Sequence, residues 1–582
     1  MLWTKWLLLL ASTHAQSTPD CPILGAAYPA PRALSKDPTF LAATQKISTR
    51  LNTAIDNENL SSVSFALQIF SSHESDPAYG FYLTDDLIKN GNVGVTEVDE
   101  NTIFRIGSIS KLWTMFLYMT FGGIRYFYEP VSKYVPELRV NQSMAQSTNA
   151  IDYIQWDGVT IGELASHQAG VLRDYAFLDL SFQQKTLQIQ GFPALAGSQQ
   201  LTCGNAHPCD RKSWYLGLFG FRWSRKWFYL FPSTRLIVHL LLDPVTPTSH
   251  TPVYSNAGYQ ILGYAMEAIL NSSYEKILMD RLIEPLNLTR SSLHTPDPAL
   301  AVVPYNESFS YFNFEFGDEA SAGAIYSSAK DMSTFGRAIL SNKLVDPSVT
   351  RQWMKPITHT SSIRQAVGAP WEIYSFSTPR RTDFYTKAGD IGMYSSFIGL
   401  SPDHDAGFSV LLAGSNSHQS TAMISEIVSD ILLPTLDLVA RNQALERFGG
   451  TYQLATDGSN SSITITADDG PGLKIESWIS NSVDMYATLM GMQKVTDRSA
   501  MSIRLQPTGL QTGTRIGFAA VIYSQPTPPN AGPITGSCFS WQLLESFIYG
   551  NVALSEFEFE VNDDGNATSV SPRALRITLP RL

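Results

Sequence analysis

Charge is scarce in this chain. Of 582 residues only 16 % are Asp, Glu, Lys or Arg, against roughly 25 % in an ordinary soluble domain. The 41 Lys and Arg are outnumbered by 52 Asp and Glu, a formal charge of −11, which argues against a protein held on nucleic acid by phosphate contacts. Low charge is joined here to 44 % hydrophobic residues, and that excludes a disordered chain, which needs the opposite balance. Beyond the N-terminus no run offers the roughly 20 uncharged apolar residues of a membrane span. Cysteine is rare, and no Cys-x-x-Cys or His-Glu-x-x-His spacing occurs, so no metal centre of those kinds is indicated and no metal or organic cofactor is implied. Internal repeats and low-complexity tracts are absent as well.

At the N-terminus Lys5 precedes the apolar run Trp6 to Ala11, and Thr13-His14-Ala15 offers small residues for cleavage. The run is too short to cross a bilayer, so residues 1 to about 16 read as a signal peptide and the protein as secreted. An oxidising route permits disulfides among Cys21, Cys203, Cys209 and Cys538, with three connectivities possible. The favoured pairs are Cys203–Cys209, closing a short loop, and Cys21–Cys538, tying the two ends together. Seven Asn-x-Ser/Thr sequons, at Asn59, Asn141, Asn271, Asn287, Asn306, Asn460 and Asn566, are candidate glycosylation sites.

Residues 37 to 60 carry Leu41, Ile47, Leu51 and Ile55 at helical spacing, and Ser62 to Phe70 alternates like a half-buried strand. Helical patterns recur from Ser108 to Thr120, ended by Gly122-Gly123, and over 258 to 271 and 328 to 341. Strand-like runs follow at Ser395 to Leu400 and Phe408 to Leu412. This order predicts one α/β domain over residues 17–440 whose sheet uses both chain ends. From about 445 the texture changes to short alternating runs, such as Ser462 to Thr466 and Phe557 to Val561, punctuated by Asp457-Gly458 and Asp564-Gly565. That is the pattern of a small antiparallel β domain over 445–582.

The chemically informative stretch is Gly107-Ser108-Ile109-Ser110-Lys111. Ser and Lys three residues apart at a helix start share one face. A Ser hydroxyl is a weak nucleophile that needs a base, and a Lys amine serves if desolvation and another cation depress its pKa. The Ser-x-x-Lys pattern alone is weak, with about two chance matches expected in a chain of this length; Ser273/Lys276 and Ser327/Lys330 also fit it. Two further motifs in order single out Ser108. Tyr254-Ser255-Asn256 supplies a phenol to relay protons and an amide to bond substrate, and Lys387-Ala388-Gly389 supplies a second cation. Backbone amides of Ser108 and Asp390 are the candidate oxyanion donors. Tyr311-Phe312-Asn313 matches the second motif by itself but lacks its flanks.

These residues resemble the serine β-lactamase and penicillin-binding protein superfamily, on its class C-like side, which includes family VIII esterases and secreted fungal β-lactamase-like proteins. Supporting stretches are Glu129 to Leu138, Ile161 to Gly170 and Ala322 to Asp331, and the resemblance covers roughly residues 40 to 430. It implies a β-lactamase/transpeptidase-like α/β (α+β) fold, an antiparallel sheet flanked by helices, with the small C-terminal β domain beyond it. It also implies Ser108 as the acylated nucleophile, Lys111 and Tyr254 as its proton-transfer pair, and Asn256, Lys387, Ala388, Gly389 and Asp390 as substrate-binding positions. His167, inside the second of those stretches, is expected to be structural.

The third motif departs from the family's usual Lys-Thr-Gly or Lys-Ser-Gly. Ala388 has no hydroxyl for a β-lactam carboxylate, and Asp390 adds negative charge after the Gly. The expected activity is therefore hydrolysis of a small-molecule carboxylic ester or amide, or acyl transfer, before true β-lactamase or D-alanyl peptidase activity; a catalytically silent binding protein of the same fold is the further alternative. No nucleic-acid partner and no stable membrane span are expected. The stretch 211–242 is foreign to the rest, with Arg211, Lys212, Arg222, Arg225, Lys226 and Arg235 among aromatics and no acid. Its residues 220–242 fit a translated intron or an amphipathic insert equally well.

Overall fold

The computed structural model describes residues 21–139, 150–151, 153–174, 180–195, 244–377, 380–456, 459–524, 532–534 and 536–582. The expected signal peptide, the Cys203–Cys209 pair, the Asn141 sequon and the stretch 211–242 lie outside the described residues. Among the described residues no helix is long and apolar enough to cross a membrane.

The chain divides into two compact units. Arg32–Phe376 and Asp383–Leu433 form the first, and the second comprises residues up to Pro31, Ser377–Thr382 and Pro434–Leu582. In the first unit an eight-stranded antiparallel sheet runs, in spatial order, Tyr79–Leu83, Val63–Ser71, Ala406–Gly414, Tyr394–Ser401, Arg381–Ile391, Glu372–Ser377, Gln365–Val367, Thr358–His359. Val63–Ser71 pairs with Ala406–Gly414 from Val63↔Gly414 to Ser71↔Ala406, so the early and late ends of this unit do meet in one sheet.

Alternation in Ser62 to Phe70 suggested a strand with one wet face, but all nine residues of Val63–Ser71 are buried. Its polar positions are satisfied from within. Ser64 Oγ accepts from the Asp85 N–H at 2.9 Å, Gln68 Nε2 donates to Tyr82 OH at 2.8 Å, and Ser333 Oγ donates to Gln68 Oε1 at 2.6 Å. A polar side chain can occupy a covered face when its hydrogen bonds are all made there.

Helix Pro38–Asp56 starts where the spacing predicts, with Pro38 at its first position and the Asp37 carboxylate accepting from the N–H groups of Thr39 and Phe40. Helix Ser110–Phe121 is apolar nearly all round, and residues Ser110 to Met119 are buried without exception, the pattern of a helix enclosed on every side. It packs among aromatics: Trp113 stacks on Phe335 at 4.7 Å, Phe116 meets Trp353 at 5.9 Å, and Trp353 meets Trp371 at 5.0 Å. Fully burying each such ring contributes about 1.5–3 kcal/mol. That enclosure fixes the helix that carries Lys111 in its first turn and follows directly on Ser108.

The second unit holds a C-terminal antiparallel sheet of nine strands, starting with Gly450–Thr456 and ending with Leu579–Pro580. Tyr452 bridges to Arg581, and the Leu582 N–H donates to Thr451 O at 2.9 Å, so the last strand returns to the first. Inward positions of Glu556–Val561 alternate as the sequence predicted, and Phe559 packs against Phe518 and Phe448 at 5.0 and 5.1 Å. Cys21 is bonded to Cys538, with Cα atoms 5.3 Å apart.

Candidate active site

Ser108 stands in the 3₁₀ turn Gly107–Ile109 that leads into helix Ser110–Phe121. In a 3₁₀ turn residues three apart eclipse one another, and Lys111 Nζ lies 3.0 Å from Ser108 Oγ. Gly107 takes φ 47°, a left-handed conformation that favours glycine. A Cβ there would also lie 2.7 Å from the Asp390 backbone nitrogen. A Cβ at Gly389 would in turn lie 2.2 Å from Ile106 O and 2.7 Å from the Ser108 nitrogen. The two glycines thus let the turn that carries Ser108 and strand Arg381–Ile391 touch backbone to backbone.

Tyr254 arrives from the segment before helix Asn256–Leu270, whose N-cap Ser255 accepts from the Gly258 N–H at 2.8 Å. Its hydroxyl donates to Ser108 Oγ at 2.6 Å. Asn256, the first residue of that helix, accepts from Lys111 Nζ through Oδ1 at 2.5 Å and donates through Nδ2 to Asp174 Oδ1 at 2.5 Å. Lys111 makes its third bond to the Ala322 carbonyl at 2.7 Å. Lys387, 1 % exposed, donates to Glu372 Oε1 at 2.5 Å and to Ala388 O at 2.8 Å, and sits 5.4 Å from the Tyr254 ring centre.

The electrostatics follow from this packing. Burial lowers the Lys111 pKa and nearby Lys387 lowers it further, with Tyr254 opposing. For Tyr254 burial resists ionisation, but Lys111 and Lys387 outweigh it and the phenol falls below its ordinary 10.0. Burial also works against the charge on Lys387, yet Glu372 and then Tyr254 more than compensate and its pKa is raised. The result is one lysine whose proton is loosened and one whose proton is held more firmly, both within 5.4 Å of the centre of a phenol ring made more acidic.

Ser108, Lys111, Tyr254, Asn256 and Lys387 therefore meet. The Asp390 carboxylate accepts from Ser395 Oγ at 2.6 Å and lies 3.0 Å from His418 Nδ1. His167 is buried with its ring 4.6 Å from that of Tyr254, and its Nδ1 accepts from the Ser255 N–H at 3.1 Å. Burial, reinforced by Lys111, Lys387 and Arg173, holds it well below the usual histidine pKa, so it stays neutral.

The two other Ser-x-x-Lys matches have other partners. Ser273 caps helix Tyr274–Leu278 while Lys276 pairs with Asp280 at 2.8 Å, and Ser327 bonds Ser291 at 2.9 Å while Lys330 pairs with Glu100 at 2.9 Å. Four contributors escaped the sequence: Glu372, Asp174, the Ala322 carbonyl and Glu319. Burial, with a smaller push from Asp174 and an opposing pull from Lys111, drives the Glu319 carboxyl up to about 8. Only Ala322 lay in a stretch already singled out, and a carbonyl carries no side-chain signal.

Among known proteins, a family model described as Beta-lactamase matches residues 86–430, and one described as Beta-lactamase-like-like, C-terminal domain, matches 440–582. A beta-lactamase-like protein of Arthroderma benhamiae is 27 % identical over 602 residues, covering 96 % of both chains. A probable hydrolase of Phoma sp. is 27 % identical over 606 residues, covering 99 % of this chain and 93 % of that one. The solved octameric penicillin-binding protein homologue from Pyrococcus abyssi aligns with 90 % of this chain and 97 % of its own at 16 % identity and a TM-score of 0.45.

Proposed function

Because this chain belongs to the Beta-lactamase family, we propose that it is a serine hydrolase that forms an acyl-enzyme on Ser108 and cleaves small carboxylic esters or amides, by hydrolysis or acyl transfer. The observation that carries the reading is the placement of Ser108 Oγ between two proton-moving groups, Tyr254 OH at 2.6 Å and Lys111 Nζ at 3.0 Å. With the Tyr254 phenol ionised, the contact reverses and Ser108 donates its proton to it while Oγ attacks the substrate carbonyl carbon. The carbonyl oxygen becomes an oxyanion, for which the Ser108 and Asp390 amides are the donors, each removable donor accounting for about 3 kcal/mol. The tetrahedral species collapses by breaking the bond to the leaving alcohol or amine, which takes the proton from Tyr254. Water or an acyl acceptor then repeats the sequence on the Ser108 ester.

Preference for an ester over a β-lactam rests on Ala388, which has no hydroxyl in the third motif. An extracellular location is proposed with it, supported by the Cys21–Cys538 bond. Purified protein and its Ser108→Ala variant, each given a short-chain aryl ester and a penicillin, test the reading. Ester turnover faster than penicillin turnover, and lost in Ser108→Ala, is expected; turnover that survives the substitution refutes it.

A further inference from the structure

Three cationic side chains lie around the Tyr254 ring, and they differ in how many donors they have left. Lys111 spends its three N–H groups on Ser108, Asn256 and the Ala322 carbonyl. Lys387 is buried and committed to Glu372 and the Ala388 carbonyl. Arg173 is different. Its guanidinium carbon stands 4.9 Å from the centre of the Tyr254 ring, and its Nε pairs with Asp174 Oδ2 at 3.3 Å. Among the described residues its terminal nitrogens bond nothing else. A guanidinium has five N–H donors in a planar fork, so four remain, on a side chain 68 % exposed.

This cation is held in place by the nucleophile's own network. The Arg173 carbonyl accepts from the N–H groups of Asn256 at 2.7 Å and Ala257 at 3.2 Å, which pins its backbone to the start of helix Asn256–Leu270. The carboxylate that grips its Nε is 9 % exposed and is itself fixed by Asn256 Nδ2. Asn256 in turn binds Lys111, and Lys111 binds Ser108. An Arg–Asp pair whose guanidinium is largely exposed contributes little to stability, whereas an oriented fork suits bidentate binding of a carboxylate. Other charges nearby are already matched: Glu372 by Lys387, and Asp390 by Ser395 and His418.

We propose that Arg173 is the anion clamp of this site, so that the acyl group delivered to Ser108 carries a carboxylate remote from its scissile carbonyl, bound by the terminal nitrogens of Arg173. The inference rests on the acyl-enzyme reading and adds a substrate class to it: half-esters or half-amides of dicarboxylic acids, or acyl groups of like charge. It also revises the expectation drawn from Ala388 and Asp390. The strand that carries them has no hydroxyl at Ala388 for anion binding, and Arg173, beside the Tyr254 ring, takes that task.

The test compares two p-nitrophenyl esters on the full chain, the neutral butyrate and the anionic glutarate half-ester, read as the ratio of their kcat/KM values. The wild type is expected to favour the glutarate by about 10- to 100-fold, the range of a charge-assisted hydrogen bond. That ratio is expected to shrink at high salt, to collapse toward one in Arg173→Met and to recover in part in Arg173→Lys. A ratio is insensitive to the fraction of a variant that folds, and the wild-type ratio with its salt dependence requires no variant. A wild-type ratio at or below one, or a ratio unchanged in Arg173→Met, overturns the clamp. Labelling of Ser108 by a fluorophosphonate separates the two levels: labelling with a ratio at or below one removes the clamp alone, whereas no labelling removes the acyl-enzyme reading and the clamp with it.

Discussion

Buried cations are handled differently in the two units. In the second, Arg380 and Arg504 are 4 % and 6 % exposed, and each faces a carboxylate, Asp437 at 3.2 Å and Asp468 at 2.7 Å. In the first, Lys387 does the same with Glu372, but Lys111, fully buried, is bonded to a hydroxyl, an amide oxygen and a backbone carbonyl, all neutral. A buried charge without a counter-charge is costly, and a lysine so placed sheds its proton more readily. The Arg380 and Arg504 pairs of the second unit are expected to hold structure together. Arg105 is likewise buried, 1 % exposed, with the carbonyls of Tyr311, Phe312 and Phe314 as acceptors, but a guanidinium does not give up its proton; on the proposed reading Lys111 exchanges one because it is an amine in a neutral setting that also touches Ser108 Oγ.

That contrast is open to direct attack. Replacing Lys111 by Met, or Tyr254 by Phe, should slow acylation about 100- to 10,000-fold. Lys111→Met should leave the thermal midpoint unchanged or higher, because it removes a charge that the interior does not neutralise. Stopped-flow acylation and calorimetry on the same samples read both, and a variant that acylates normally or melts far earlier breaks the comparison. Arg380→Met is the opposite case. It removes the guanidinium that faces Asp437, 9 % exposed, and should cost about 3–5 kcal/mol in urea unfolding. A loss below 1 kcal/mol would mean that the pair is not structural.

Glu319 sharpens the picture by a smaller amount. Its carboxyl is raised from an ordinary 4.5 to about 8 by burial, so folding holds it protonated over a range in which the unfolded chain ionises it. The destabilisation is therefore absent below about 4.5, grows as pH rises and is complete above about 8. Glu319→Gln should match the wild type at pH 4 and exceed it at pH 9 by about 1–3 kcal/mol. Equal stability at both pH values would show that the carboxyl is solvated.

Much of this was legible in the residues, and the limits of legibility have physical causes. Ser108, Lys111, Tyr254, Asn256 and Lys387 could be read because each sits in a short motif and the motifs occur in order. Both helices that present them were visible from apolar spacing. Glu372 was hidden because it reaches Lys387 only through its place in the adjacent strand Glu372–Ser377, and short strands such as Gln365–Val367 and Thr358–His359 leave little pattern. Asp174 and Arg173 follow a recognised loop, but their meaning depends on Asn256, which comes 82 residues after Asp174. Alternation misjudged Val63–Ser71 because it reports polarity, and here polar side chains are bonded inside a covered face. The C-terminal sheet was foreseen from Phe557 to Val561, while its return of Arg581 to Tyr452 was not, since closure is a property of the whole sheet.

The most direct measurement is intact-protein mass spectrometry after exposure to a fluorophosphonate and an aryl ester, followed by peptide mapping. One adduct is expected, on Ser108, formed more slowly in Lys111→Met and absent in Ser108→Ala. An adduct on another residue, or none on folded protein, contradicts it.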